Sequence, residues 1–267
     1  MDLVKIMRDF DDKRYRFHLA KTEPKGGRPI DALAKSKKEW LGWQVYRGKA
    51  KERFIANYIV SFAQISGNKF LFGGVFQITS RASKKYKVKY TKQYNDLIGR
   101  LVLEYSGNNS RATVFKPSYI YENSQIAGIY EYRFKGEPFI SFEEINHGFS
   151  AIEIVIKNNL SDWKVALSSV YGIYLISDEK TGKHYVGSAY GEEGIWGRWR
   201  TYANSFHGSN EDLMDLFNNK REDYFRDNFK FSILEVISSS ATKEDVVKKE
   251  SLWKSKLFSR EHGYNRN

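Results

Sequence analysis

The stretch 170-VYGIYLISDEKTGKHYVGSA-189 decides how this chain is read. Two short runs rich in Val, Ile and Tyr flank a polar turn, Asp178 to Lys183, which contains Gly182. That pattern predicts a hairpin with strands over 170–177 and 184–188. Side chains alternate faces along a strand, so Tyr174 and Tyr185 can share one face of the pair and bring two phenols close together. Taken alone, the pair reads as two ordinary sheet tyrosines.

The residues that follow add chemistry. Helices are predicted over 194–206 and 209–218, a strand over 229–237 and a last helix over 243–258. In the first helix Arg198 and Tyr202 are four residues apart and share a face. The planar fork of Arg198 suits a phosphate; the plainer reading is a solvated arginine, as for Arg200. Thr242 is placed to cap the last helix, with Asp245 three residues on. Val246, Trp253 and Leu257 mark its apolar face, and Glu250 falls on that side, while Lys248, Lys249 and Lys254 face water more easily. A carboxylate on an apolar face is costly unless paired or bound to metal.

Upstream the texture differs. Residues 21–38 are rich in Lys, Pro and Gly and read as an exposed loop with a short helical piece. Phe54, Tyr58 and Phe62 recur every four positions and predict a helix within 40–65. Short segments rich in Val, Ile, Phe and Tyr then follow, at 70–79, 87–90, 101–105, 112–115 and 128–134, with Asn108-Asn109 read as part of a turn. They predict a small antiparallel sheet or barrel. Residues 141–168 read as a connection with a short helix around Phe142–Ile145.

Charge divides the chain in the same place. The net charge is +12 over 267 residues. Residues 1–150 hold 27 Lys/Arg against 15 Asp/Glu, and 151–267 hold 17 of each. A basic module that docks on a polyanion, ahead of a neutral one, is the expected organisation: 1–160 for recognition and 161–267 for chemistry. Lys84, Lys85, Lys87, Lys89 and Lys92, interleaved with Tyr86, Tyr90 and Tyr94, form the densest basic run. It reads as a strand tracking DNA phosphates or as an edge guarded by lysine. Trp40, Trp43 and Tyr46 read as core or as a base-stacking cluster. With no cysteine, thiol chemistry and zinc-thiolate sites are excluded. No signal-like or membrane-length apolar run is present, so a cytoplasmic location in a bacterial or phage-infected cell, with no membrane partner, is expected.

Gly172-Ile173-Tyr174, Tyr185-Val186-Gly187, Arg198, Glu250 on a helix and Gly263-Tyr264-Asn265, in that order, resemble the GIY-YIG nuclease superfamily over about 168–267. The resemblance is greatest to the catalytic domains of phage homing endonucleases, through Tyr185 to Ala189 and the strand Phe231 to Glu235. It implies an α+β fold overall, with the GIY-YIG part a small antiparallel sheet flanked by helices. It also implies metal-dependent hydrolysis of DNA in one step. Glu250 would bind one Mg2+ or Mn2+. Tyr174 would orient or deprotonate the attacking water, assisted by Tyr185, and Arg198 would hold the scissile phosphate. Tyr202 takes the second helix position, and Asn265 ties the tail into the site. Ser188 stands where some relatives carry a lysine. The basic part, with Gly73-Gly74-Val75-Phe76-Gln77-Ile78, resembles PUA-like readers of modified DNA. A restriction enzyme acting on double-stranded DNA, modified or not, is the leading expectation; one such site cuts one strand, so a double-strand break needs a homodimer, sequential nicking or reorientation. The alternatives are a homing or mobile-element nuclease, a repair nuclease and a catalytically silent DNA-binding protein.

Overall fold

The computed structural model describes residues 2–23, 27–46, 52–82, 85–108 and 112–266. The chain forms two compact units, Met1–Lys135 and Gly136–Asn267. The division falls 25 residues before the expected boundary at 160, because the segment read as a connection belongs to the second unit's core. Measured this way the charge contrast sharpens. The first unit holds 27 Lys/Arg against 12 Asp/Glu, a balance of +15; the second holds 17 against 20, a balance of −3.

The first unit runs β1 (Tyr15–Ala20), α1 (Pro29–Lys35), α2 (Lys37–Val45), β2 (Tyr58–Ser66), β3 (Lys69–Arg81), β4 (Tyr86–Tyr90), β5 (Leu101–Tyr105), β6 (Val114–Phe115), α3 (Pro117–Glu122) and β7 (Ser124–Ile129). The sheet order is β6-β1-β2-β3-β5-β7, with β4 paired to β3. It departs from the expected antiparallel sheet or barrel in two ways. β1 and β2 are parallel, with α1 and α2 in the crossover that such a pair requires. The terminal strands of that order, β6 and β7, do not pair with each other among the described residues, so the sheet is open.

Apolar residues cover both sheet faces. Phe17, Val60 and Phe62 lie in one cluster, and Trp40, Phe54 and Ile59 in the other. No helix carries Phe54, Tyr58 and Phe62; Tyr58 and Phe62 lie on β2. A spacing of four is also a multiple of two, so it satisfies a strand as well as a helix. Trp40 is core, its indole N–H donating to the Gly73 carbonyl at 2.9 Å.

The second unit runs β8 (Asn146–Gly148), α4 (Phe149–Lys157), α5 (Ser161–Ser168), β9 (Val170–Asp178), β10 (His184–Ala189), α6 (Gly194–Ser205), α7 (Glu211–Asn228), β11 (Phe229–Ser238) and α8 (Lys243–Lys256). The helix expected at Phe142–Ile145 is absent, and α4 follows instead. Its run FSAIEIVIK has weak helix propensity, but Phe149, Ile152, Val155 and Ile156 repeat at helical spacing and are buried. All pairings in the sheet β10-β9-β11-β8 are antiparallel. Residues of α4 to α7 pack with Tyr174, Ile176 and Phe231 on one face. On the other face, α8 places Val246 against Ile173, Val186 and Ile237. β10 is left as an edge strand between helical layers, and the candidate site forms around it.

Candidate active site around the edge strand β10

The hairpin register pairs Tyr174 with Gly187 and Tyr185 with Ile176. Opposed residues share a face, so both tyrosines point toward α6, with ring centroids 6.4 Å apart. Gly187 makes this possible: a Cβ there would overlap the Tyr174 phenol. Gly172 does the same on β9, where a Cβ would lie 2.8 Å from the Glu235 carbonyl oxygen and from Ile195.

Helix α6 buries Ile195, Trp196, Trp199, Tyr202 and Ala203 against this face. Arg198, one turn before Tyr202, is thereby directed at the phenols. Its Nε donates to Tyr174 Oη at 3.0 Å and its Nη2 to Tyr202 Oη at 3.5 Å. The two hydroxyls are 3.2 Å apart. Tyr174 and Tyr202 are fully buried. Burial first, and the neighbouring Tyr185 second, push the Tyr174 hydroxyl far above the usual phenol range, with Arg198 opposing. Burial pushes Tyr202 upward as well. Both phenols therefore stay neutral and act as a fixed cradle for the guanidinium.

Glu250 approaches from the opposite layer. Thr242 caps α8 by accepting from Asp245 N at 3.2 Å, which sets the helix phase. Ser188 lies opposite Ile173 in the register and so faces α8; its hydroxyl donates to Glu250 Oε2. Lys254 Nζ lies 2.8 Å from Glu250 Oε1. The expectation that Lys254 faces water is corrected: its side chain is 7% exposed. The four-residue spacing from Glu250 is the sequence signal for this pair.

A cleft of about 970 Å³ opens along β10 and the start of α6, lined among others by Tyr185, Ser188, Arg198, Arg200, Glu250 and Arg266. The two groups that the resemblance assigns to phosphate and metal, Arg198 and Glu250, therefore line one cleft. Tyr174 and Tyr202 do not line it; they stand behind Arg198. Tyr185 is the phenol of the set that does. Asn265 is not in the cleft either. Its side-chain amide accepts from Val186 N and donates to Val186 O, both at 2.9 Å, like a strand partner added to the free edge of β10.

The three cleft arginines differ in one respect. Arg200 pairs with Glu193. Arg266 is surrounded by Glu211, Asp212 and Asp215. Arg198 has no carboxylate partner among the described residues; its contacts are the two phenols and the Tyr202 ring. An external anion is what this guanidinium lacks. Among the described residues, no group of three or more His, Cys, Asp or Glu comes together.

In the first unit, Lys85, Lys87 and Lys89 lie exposed at two-residue spacing on and beside the edge strand β4, and Lys92 lies exposed just beyond it. Lys84 lies outside the described residues. No helix is long and apolar enough to cross a membrane among the described residues.

Two solved structures are similar to part of the chain. One is the catalytic domain of the homing endonuclease I-TevI, at 32% identity and a TM-score of 0.29, covering 36% of this chain and 98% of that one. The other is a mutant form of the same intron endonuclease's catalytic domain, at 30% identity and a TM-score of 0.30, covering 37% and 94%. No family model and no curated protein matches the chain.

Proposed function

We propose that this protein is a GIY-YIG endonuclease that hydrolyses DNA phosphodiester bonds in the cleft beside β10, with the basic first unit holding the DNA. The observation that carries this reading is the arginine without a carboxylate partner, Arg198, fixed by two buried phenols in the same cleft as a carboxylate, Glu250. The two similar domains, at 30% and 32% identity, are named as endonucleases.

Arg198 receives the scissile phosphate. Its remaining donors face the cleft, and its charge stabilises the phosphorane-like transition state more than the ground state. Tyr174 and Tyr202 are positioning residues: they hold the guanidinium plane and exclude water from behind it. Tyr185, at the cleft wall, orients the attacking water. The water oxygen forms a bond to phosphorus and gives up a proton to solvent, while the bond from phosphorus to the departing sugar oxygen breaks and that oxygen takes a proton from solvent. Glu250 fits a single hard cation, because such an ion keeps several waters and needs only one or two carboxylates. Ser188 and Lys254 each engage one of its oxygens, and a carboxylate that lines the cleft has further lone pairs to offer an ion. Glu250 would hold a magnesium or manganese ion there, and such an ion would supply Lewis-acid stabilisation of developing negative charge. A restriction role, in which the first unit reads a sequence or a modified base, is the biological setting that best suits a basic unit joined to such a site.

Supercoiled plasmid is the direct test. With magnesium the protein converts it to nicked or linear DNA, and both EDTA and Glu250→Gln stop the conversion. Undiminished cutting by Glu250→Gln, or none by wild type on paired, modified or branched DNA, overturns the reading.

A further inference from the structure

We infer that the β4 edge of the first unit is a DNA-strand site in which Tyr46 stacks on an unpaired base, Arg53 supplies an anchored cation and Lys85, Lys87 and Lys89 follow the backbone. The inference rests on the nuclease reading and adds to it the substrate feature that the first unit reads.

Tyr46 follows the last residue of α2 and forms an isolated antiparallel bridge with Lys85. Residues paired across such a bridge share a face, and Lys87 and Lys89 follow Lys85 at the strand period. The phenol and three ammonium groups therefore form one continuous stripe. All are exposed, Tyr46 to 63%. Among the described strands β4 pairs only with β3, so beyond the Tyr46–Lys85 bridge no strand covers its other edge.

Arg53 sits at the head of this stripe. Its Nη1 donates to the Tyr46 carbonyl at 3.4 Å, and its backbone N–H donates to Tyr86 Oη at 2.9 Å. No carboxylate pairs with it among the described residues; Glu52, its neighbour in sequence, pairs with Arg81. Behind it lies a buried polar chain. Arg53 Nη2 donates to His18 Nε2 at 2.7 Å, His18 Nδ1 lies 2.8 Å from Gln44 Oε1, and Ser61 Oγ donates to the same oxygen at 2.9 Å. His18, Gln44 and Ser61 are fully buried. Burial and the Arg53 charge lower the His18 pKa to about 3, so its Nε2 is free to accept.

Burying three polar side chains between α2 and the sheet is costly unless each is satisfied. Here the chain satisfies all three and ends on one partly buried guanidinium, whose plane it fixes. A pre-set cation with no internal counter-ion, beside an exposed aromatic ring and a lysine stripe in a unit of +15, matches the combination that binds nucleic acid strands: cations for phosphates and a ring for a base.

Fluorescence anisotropy of the full chain in EDTA tests this without cleavage. The probes are a fully paired duplex, the same duplex with one bulged nucleotide, and the matching RNA. Tyr46→Ala is expected to weaken binding to the bulged duplex about tenfold and to leave the paired duplex within about twofold. Lys87→Gln with Lys89→Gln weakens both and flattens the salt dependence; Lys69→Gln, at the start of β3, is the charge control. Tyr46 is exposed, so its variant folds even where Arg53→Met does not. Equal binding of the bulged duplex by wild type and Tyr46→Ala overturns the site, as does tighter binding to the RNA. If wild type binds no DNA, the nuclease reading falls with it; if wild type cuts DNA but these variants bind normally, only this inference falls.

Discussion

In each unit one arginine is backed by buried neutral groups and, among the described residues, has no carboxylate partner. In the first, His18, Gln44 and Ser61 stand behind Arg53; in the second, Tyr174 and Tyr202 stand behind Arg198. The device is the same: a guanidinium held from inside and left to find its counter-ion outside. What differs is the company. Arg198 shares a cleft with Glu250, whereas Arg53 lies beside an exposed ring and lysines. A carboxylate and a cation on one cleft can act on a bound phosphate; cations and a ring on an open edge can hold a strand. The comparison separates cutting from binding on physical grounds.

Arg226 gives the sharpest contrast. It is the paired kind of arginine, with Nε and Nη2 both bonded at 3.0 Å to the fully buried Glu153. Arg226→Ala removes the two-pronged partner of that carboxylate, leaving Lys157 Nζ beside it at 2.5 Å, and should destabilise the second unit by about 1.5–3 kcal/mol. Arg198→Ala strands no carboxylate and should cost no more than about 1 kcal/mol. Thermal melts of the two variants check this, and equal losses break the distinction between structural and functional arginines.

The two backings also differ in their response to acid. The pKa of His18 is lowered from 6.5 to about 3 by burial first and Arg53 second. The unfolded chain therefore binds the extra proton between those values. The stabilisation is fully present above pH 6.5 and is lost as pH falls toward 3, at up to about 1.4 kcal/mol per pH unit. The phenols behind Arg198 do not titrate in this range. Calorimetry should show the first unit losing this increment between pH 6.5 and 4, with the slope reduced by about one proton in His18→Gln. An unchanged slope contradicts the neutral imidazole.

A smaller effect separates the phenols. Tyr174→Phe removes one hydrogen bond to Arg198 from behind and should slow single-turnover cleavage about tenfold. Tyr185→Phe, altering a group that lines the cleft, should slow it more. The reverse order would return Tyr174 to the role expected from sequence.

Legibility differed between the units for physical reasons. The hairpin, α6, β11 and α8 follow from local patterns: a turn between β-branched runs, helical apolar spacing and a Thr242 cap. Those elements alone bring Arg198 and Glu250 to one cleft, so the meeting of these two residues is legible in the sequence. Which tyrosine faces the cleft is not, because it depends on register against α6 and on burial. Lys254 read as solvated although its spacing from Glu250 pointed to a pair. In the first unit the ambiguous four-residue spacing of Phe54, Tyr58 and Phe62 favoured the wrong element, and the parallel β1–β2 pair depends on a long-range crossover. Arg53 carries no local signal because the polar chain behind it comes from β1, α2 and β2, distant in sequence.

The central claim is that the cleft arginine without a carboxylate partner is the phosphate clamp. Arg198 and Arg200 lie on the same helix and line the same cleft, and Arg200 is paired with Glu193. Single-turnover cleavage by Arg198→Ala and Arg200→Ala, measured side by side with magnesium, tests the claim most directly. The account predicts a loss of about 10²–10³-fold for Arg198→Ala and less than about threefold for Arg200→Ala. Equal losses, or a larger loss at Arg200, would contradict it.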